Sequence, residues 1–117
     1  IFPMRRSISV CMTVFGSSKY LYPQLESILN QTVKIDELIL VEDFSGGKSP
    51  QNLIEEICLK YEIKLNYYKL DVNVGPPEAF RFAISKSVGD IIFLSDHDDI
   101  WRLDRIEKVI PYHAKST

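Results

Sequence analysis

The chain has 117 residues, the length of one domain, and its 45% hydrophobic and 26% charged content is typical of a globular protein. Its formal net charge of -2 excludes the strongly basic surface by which many domains bind nucleic acid. Its apolar runs are far shorter than the roughly 20 residues that a membrane-spanning helix needs.

Two cysteines, Cys11 and Cys58, are far apart and lack the spacing of a metal site. We interpret both as small buried residues of a protein in a reducing compartment. The opening residues 1–6, IFPMRR, are basic and include no apolar core, so they do not indicate a signal peptide. We expect them to form a tail, with the domain occupying residues 7–117.

Along the chain, short β-branched runs alternate with segments of helical period. Ser7–Phe15 is predicted as the first strand, because both of its alternating residue sets can be buried. A helix to about Gln31 follows, and Glu37–Asp43 is predicted as the second strand. The apolar residues of that first helix recur at helical spacing: Leu21, Leu25, Ile28 and Leu29.

The second half of the chain repeats this alternation. Ser49 is predicted to cap a second helix, and Lys64–Leu70 is a more polar third strand expected near a sheet edge. A third helix is expected to end at Gly89, before the fourth strand, Asp90–Ser95. A last helix is expected from Trp101, broken by Pro111. The predicted inward residues of the second and third helices are Leu53, Ile54, Ile57, Cys58, Tyr61, Ala79, Phe80, Ala83 and Ile84.

Alternating strands and helices predict an α/β fold, a Rossmann-like parallel sheet with helices on both faces. Ligands of such sheets bind beyond the carboxyl ends of the strands, where the strand order reverses. The predicted strand ends present acids at this edge: Glu42, Asp43, Asp96, Asp98 and Asp99.

These acids require a cation if the ligand is a phosphate. The chain has neither GxGxxG nor GxxxxGK[ST], so a dinucleotide or P-loop site is not indicated. Mg²⁺ is commonly held by one or two carboxylates plus the phosphates of a substrate. In an extended segment, Asp96 and Asp98 would leave the same face about 6.5 to 7 Å apart. His97, between them, could contact the metal or a phosphate.

Three other interpretations compete with a metal site. The acids could form a solvated turn, since Asp is common in turns. A phosphatase of the haloacid dehalogenase type also uses a DxD after a buried strand, but usually on its first strand, and little chain follows Asp99 here. A receiver domain would have its acidic pair after the first strand, where this chain has Val14, Phe15 and Gly16.

Three blocks, in order, resemble the family 2 glycosyltransferases of the GT-A fold. They are SISVCMTVFGSSKYLYPQLESILNQT, LILVEDFSGGKS and NVGPPEAFRFAISKSVGDIIFLSDHDDIWRLDRIEK. The passage from SDHDDIW to RIEK resembles the rhamnosyltransferase-like branch. The resemblance implies a nucleotide-sugar-binding domain.

The resemblance also implies roles for individual residues. Phe15, in place of a tyrosine, would stack on a pyrimidine, Thr13 would line the nucleotide pocket, and Asp43 would accept the ring N–H of the base. Glu42 stands in place of the family's other aspartate and would also contact the nucleotide, and Gly16 stands in place of an asparagine. Asp96 would lie near ribose and metal, and Asp98 would bind the metal, Mn²⁺ or Mg²⁺.

The implied reaction is the inverting transfer of a sugar from a UDP- or dTDP-sugar to a saccharide or lipid-linked acceptor. It would serve bacterial polysaccharide or glycoconjugate synthesis in the cytoplasm or at the inner face of its membrane. In the family, the catalytic base and the acceptor site follow the DxD segment. We therefore expect the base to lie beyond Thr117. This chain would then be the donor-binding part of a longer enzyme, without a catalytic residue of its own and inactive alone.

Overall fold

One parallel sheet organises the molecule in a computed structural model, which describes residues 6–96 and 98–110. Its strands are β1 (Ile8–Phe15), β2 (Glu37–Asp43), β3 (Lys64–Lys69) and β4 (Ile91–Ser95). They lie in the order β3-β2-β1-β4, and every neighbouring pair is parallel. The strand order therefore reverses at β1, which has β2 on one side and β4 on the other. The predicted α/β fold and the edge position of β3 are confirmed.

Helices cover both faces of the sheet. They are α1 (Leu21–Leu29), α2 (Gln51–Lys60), α3 (Pro76–Lys86) and α4 (Arg105–Val109). Apolar residues of α1, α2 and α4 share one core with one face of the sheet, and α3 packs on the other face against β1 and β2. Because β1 and β2 are buried on both faces, their sequences have no polar face, as expected for central parallel strands.

The two cysteines lie in different cores. Cys11 belongs to the α3 side of the sheet and Cys58 to the α1–α2 side, and both are free and buried. Burial raises the pKa of each thiol to about 11, with the Glu37 carboxylate adding to the effect at Cys11. Both thiols therefore remain protonated near neutral pH.

Gly89 does not end the third helix, as the sequence had suggested. The helix ends at Lys86, and Ser87 is its C-cap. A Cβ atom on Gly89 would lie 2.4 Å from Ser9 Oγ and 2.8 Å from Ser9 N, so the glycine is needed for a close approach of the α3–β4 loop to β1.

Other helix predictions need smaller corrections. Pro50, not Ser49, is the N-cap of α2, although the Ser49 hydroxyl accepts the Gln51 N–H over 3.2 Å. The last helix begins at Arg105 because the backbone before it bonds to residues of the α1 region instead. Leu53 and Ile84 are 39% and 40% exposed, since each lies at the margin of its helix's apolar face.

A buried carboxylate lies at the amino end of the sheet. Glu37, 3% exposed, accepts the Ser9 hydroxyl over 2.6 Å and the Val88 N–H over 2.8 Å. Ser9 Oγ in turn accepts the Gly89 N–H over 2.8 Å. The first residue of β2 thus anchors the chain that leaves α3.

Several predictions fall on residues outside those described: most of the tail (residues 1–5), His97 and Pro111. The catalytic base expected beyond Thr117 therefore stays a prediction. None of the described helices is long and apolar enough to cross a bilayer.

Candidate functional site

A pocket of about 510 Å³ opens at the carboxyl ends of β1, β2 and β4, on the side of the sheet that α3 covers. This is the edge where the strand order reverses, as expected for a ligand site in a parallel sheet. Its walls come from strand ends, from the β3–α3 loop and from the first turns of α3. The lining residues are Thr13, Val14, Phe15, Asp43, Asn73, Gly75, Pro76, Ala79, Phe80 and Asp96.

Phe15 and Thr13 form the β1 side of this pocket. They are two residues apart on a strand and therefore point to the same face. Phe15 is 56% exposed, so its ring is available to a ligand and is not a core residue. Gly16 follows with φ +68, a value that a glycine adopts without strain, and turns the chain away from the sheet.

Asp43 holds the β3–α3 loop against the end of β2. Its Oδ1 accepts the N–H groups of Phe44 and Val74, each over 2.9 Å. Its Oδ2 accepts the Gly75 N–H over 2.9 Å and the Asn73 side-chain amide over 3.3 Å. The four bonds occupy the acceptor capacity of a carboxylate that is 4% exposed. Asp43 therefore shapes the pocket wall as well as lining it.

Glu42 lies away from the pocket. Its Oε1 accepts the hydroxyls of Ser49 and Tyr67, each over 2.6 Å, on the α2 side of the sheet. Burial, and then the bond to Glu42, raise the pKa of Tyr67 above its usual value. Because adjacent residues of a strand point to opposite faces, Glu42 and Asp43 cannot both face the pocket.

Asp96 and Asp98 make different contacts. Asp96 lines the pocket, one residue beyond β4. Asp98 has φ +61, and its Oδ1 accepts the Ser18 hydroxyl over 2.8 Å. The expected extended DxD segment is therefore a turn, closed by the Asp99 N–H donating to the Asp96 carbonyl over 3.2 Å. Aspartate is among the residues that tolerate this left-handed conformation.

These two carboxylates fit a hard divalent cation only in part. Their oxygens are the donors that Mg²⁺ and Mn²⁺ accept. Within residues 6–96 and 98–110, however, no three His, Cys, Asp or Glu side chains are grouped to hold a metal ion. The pair thus suits a cation that takes its other ligands from phosphate oxygens and water.

The two arginines after the acidic segment bond to neighbouring acids. Arg102 pairs with Asp104 over 3.2 Å, and Arg105 with Asp99 over 3.6 Å. The Arg105 guanidinium also lies 4.5 Å from the centre of the Trp101 ring. Neither arginine is among the residues that line the pocket.

Sequence reasoning missed two contributions to the pocket. Asn73 and Gly75 contact Asp43, and the loop signal NVGPP contained both residues. Phe80 was interpreted as a core residue, yet it lines the pocket as well as packing on the α3 core. No local pattern distinguishes a helical residue facing a core from one facing a cavity beside it.

Comparison with known proteins places the chain in one family. The sequence model described as "Glycosyl transferase family 2" matches residues 9–117. An Escherichia coli UDP-Gal:alpha-D-GlcNAc-diphosphoundecaprenol beta-1,3-galactosyltransferase is 30% identical over 112 residues, which are 92% of this chain and 39% of that protein. The chain spans about two fifths of the length of the curated relatives it matches first.

Solved structures agree on the fold. TarS from S. aureus, in complex with UDP-GlcNAc, superposes with a TM-score of 0.79 at 20% identity, over 93% of this chain and 31% of that one. The mannosyltransferase PcManGT from Pyrobaculum calidifontis, in complex with GDP-Man and Mn²⁺, gives 0.68 at 16% identity, over 84% and 29%. The rhamnosyltransferase-like branch stays a prediction.

Proposed function

Since the chain belongs to glycosyl transferase family 2, we propose that its pocket binds the nucleoside diphosphate of a sugar donor of the UDP or dTDP type. In the whole protein, that sugar is transferred with inversion to a hydroxyl of a saccharide or lipid-linked acceptor. The observation that supports this most is the pocket itself, in which an exposed aromatic ring and an acid lie at the strand-order reversal.

The base is assigned to the β1–β2 side of the pocket. The half-exposed Phe15 ring offers a stacking surface to a pyrimidine, and Thr13 lies beside it. Of the four bonds to Asp43, the one from the Asn73 amide is the longest, at 3.3 Å. In this proposal, the ring N–H of the base replaces that amide on Oδ2, so that Asp43 reads the base while still holding the loop. Glu42 is assigned a structural role, because its carboxylate accepts the hydroxyls of Ser49 and Tyr67.

The diphosphate is assigned to the β4 side. Asp96 and Asp98 supply carboxylate oxygens for Mn²⁺ or Mg²⁺, and phosphate oxygens complete the coordination. When bound, the cation neutralises charge on the departing diphosphate. Ser18 holds the Asp98 side chain by a hydrogen bond in the free protein.

We assign no residue of this chain as catalytic base and propose that this group lies beyond Thr117. The reaction of the whole protein therefore depends on residues that the donor pocket does not contain. The family match over residues 9–117 favours this function over a phosphatase or a receiver domain.

Calorimetry of the chain with UDP, in MnCl₂ and then in EDTA, tests the proposal. We expect weak binding with the cation and loss of the heat in EDTA. Inorganic pyrophosphate with Mn²⁺ is the matched ligand, because it lacks the base. Tight binding in EDTA would overturn the role of the cation, and equal affinities for UDP and pyrophosphate would overturn the role of the base site.

A further inference from the structure

A row of buried polar side chains runs along the α1 region. Gln24, Ser27 and Gln31 are 2%, 6% and 7% exposed and follow one another at i, i+3 and i+7, the spacing of one helix face. Buried amides are costly unless their hydrogen bonds are made within the protein. The hydrogen-bond partners of these three side chains therefore indicate which part of the chain they hold in place.

All three side chains bond to the segment that follows β4. The Gln24 amide nitrogen donates to Ser95 Oγ over 2.9 Å and to the Asp96 carbonyl over 2.7 Å. Further along, Ser27 Oγ accepts the Trp101 N–H over 3.0 Å. Gln31 donates to the Arg102 carbonyl over 2.6 Å and accepts the Ile106 N–H over 3.1 Å.

We propose that Gln24 is a positioning residue for Asp96: by bonding the last residue of β4 and the next carbonyl, it fixes the backbone from which the Asp96 carboxylate enters the pocket. This rests on the proposed function, because the carboxylate is assigned there to the nucleotide and its cation. The Asp96 carbonyl also accepts the Asp99 N–H, so Gln24 holds one end of the turn that includes Asp98.

Gln31 serves as the matched control. It is the same residue type, is buried to a similar degree and bonds to the same segment, but its partners there lie well beyond Asp96, and it also donates to the Ser27 carbonyl. Gln24→Met and Gln31→Met each remove one amide while keeping a side chain of similar length. Both variants should lose global stability, whereas only Gln24→Met should loosen the Asp96–Asp99 turn.

Two measurements on the full chain separate the outcomes. The first is amide hydrogen exchange without ligand. In Gln24→Met, exchange of the Asp99 N–H should accelerate about tenfold. In Gln31→Met, exchange of the Ile106 N–H should accelerate about tenfold, and exchange of the Asp99 N–H should not change. Calorimetry with UDP and Mn²⁺, at a temperature where both variants are folded, should show about a tenfold loss of affinity in Gln24→Met only.

Unchanged exchange at Asp99 in Gln24→Met, or equal losses of affinity in the two variants, would overturn the positioning role. If the unmodified chain bound no UDP with Mn²⁺, the proposed function would fall instead, and the exchange at Asp99 would still decide whether Gln24 fixes the turn.

Discussion

The carboxylate of Asp43, at the end of β2, accepts the backbone N–H of Gly75, the N-cap of α3, over 2.9 Å. Gly75 has φ +86, so its backbone is in a conformation that other residues rarely adopt. This bond joins the strand that forms the pocket floor to the helix that forms its wall.

Replacing Asp43 by asparagine should therefore damage both stability and binding. The amide nitrogen of the asparagine is a donor and would face backbone N–H groups that are also donors. We therefore expect a loss of about 1 to 3 kcal/mol in the free energy of unfolding, together with weaker UDP binding. Urea denaturation and calorimetry measure the two effects. Asp71→Asn is the control, because Asp71 is an exposed acid of the same loop. Equal effects of the two substitutions would contradict the assigned role.

Phe15→Ala should weaken UDP binding with little effect on stability. A base stacked on an aromatic ring contributes about 1 to 3 kcal/mol, and the Phe15 side chain is already 56% exposed. Phe44→Ala is matched to it, because Phe44 is 49% exposed and follows the neighbouring strand without lining the pocket. Calorimetry that found the two variants equally impaired would argue against stacking on Phe15.

Asp98→Asn should remove the dependence of UDP binding on Mn²⁺ while leaving the thermal midpoint nearly unchanged. Asparagine tolerates φ +61, and its side-chain oxygen can still accept the Ser18 hydroxyl. The control is Asp99→Asn, since Asp99 pairs with Arg105. Titrations with and without EDTA, alongside a melting curve, make the comparison. A large fall in the midpoint would mark Asp98 as structural.

Gly89→Ala should destabilise the fold by about 1 to 3 kcal/mol, as an overpacked core does. Its new methyl group would overlap Ser9 and disturb the bonds that Ser9 makes with Glu37 and Gly89. Gly47→Ala is the reference, because its Cβ would meet only Ser45 Oγ, at 3.6 Å. Chemical denaturation of both variants tests this, and a Gly89→Ala protein as stable as the reference would refute the close approach.

Stability should decline as the pH rises from 9 to 11. Burial raises the pKa of Cys11 and Cys58 from 9.0 to about 11, so above pH 9 the unfolded chain releases thiol protons that the folded chain retains. Urea midpoints measured across this interval should fall. In Cys58→Ala the fall should be shallower, and an identical slope would show that this thiol does not contribute.

Sequence patterns predicted the sheet well because β1 and β2 are buried on both faces and alternate visibly with amphipathic helices. They also indicated Phe15, Asp43 and Asp96, whose places follow from strand ends alone. They failed where the side chain depends on a distant contact. Asp98 has φ +61 instead of an extended backbone and accepts a hydrogen bond from Ser18, far away in sequence, and Gly89 allows a close approach to Ser9 instead of ending α3.

The row of buried polar side chains along the α1 region was missed for the same reason. Gln24 and Gln31 look like surface residues in a sequence, since glutamine is mostly exposed. Only the fold places the segment after β4 over them. Helix α4, just five residues long, has too little periodic sequence to fix its start.

The two buried acids at the ends of β2 have a joint effect on α3. Glu37 accepts the Val88 N–H just after that helix, and Asp43 accepts the Gly75 N–H just before it. Movement of α3 away from the sheet would leave the carboxylate of Glu37 or of Asp43 without some of its hydrogen-bond donors. These two bonds hold α3 near both of its ends, so a nucleotide bound as proposed would meet a preorganised wall, which spares the entropy of ordering it on binding.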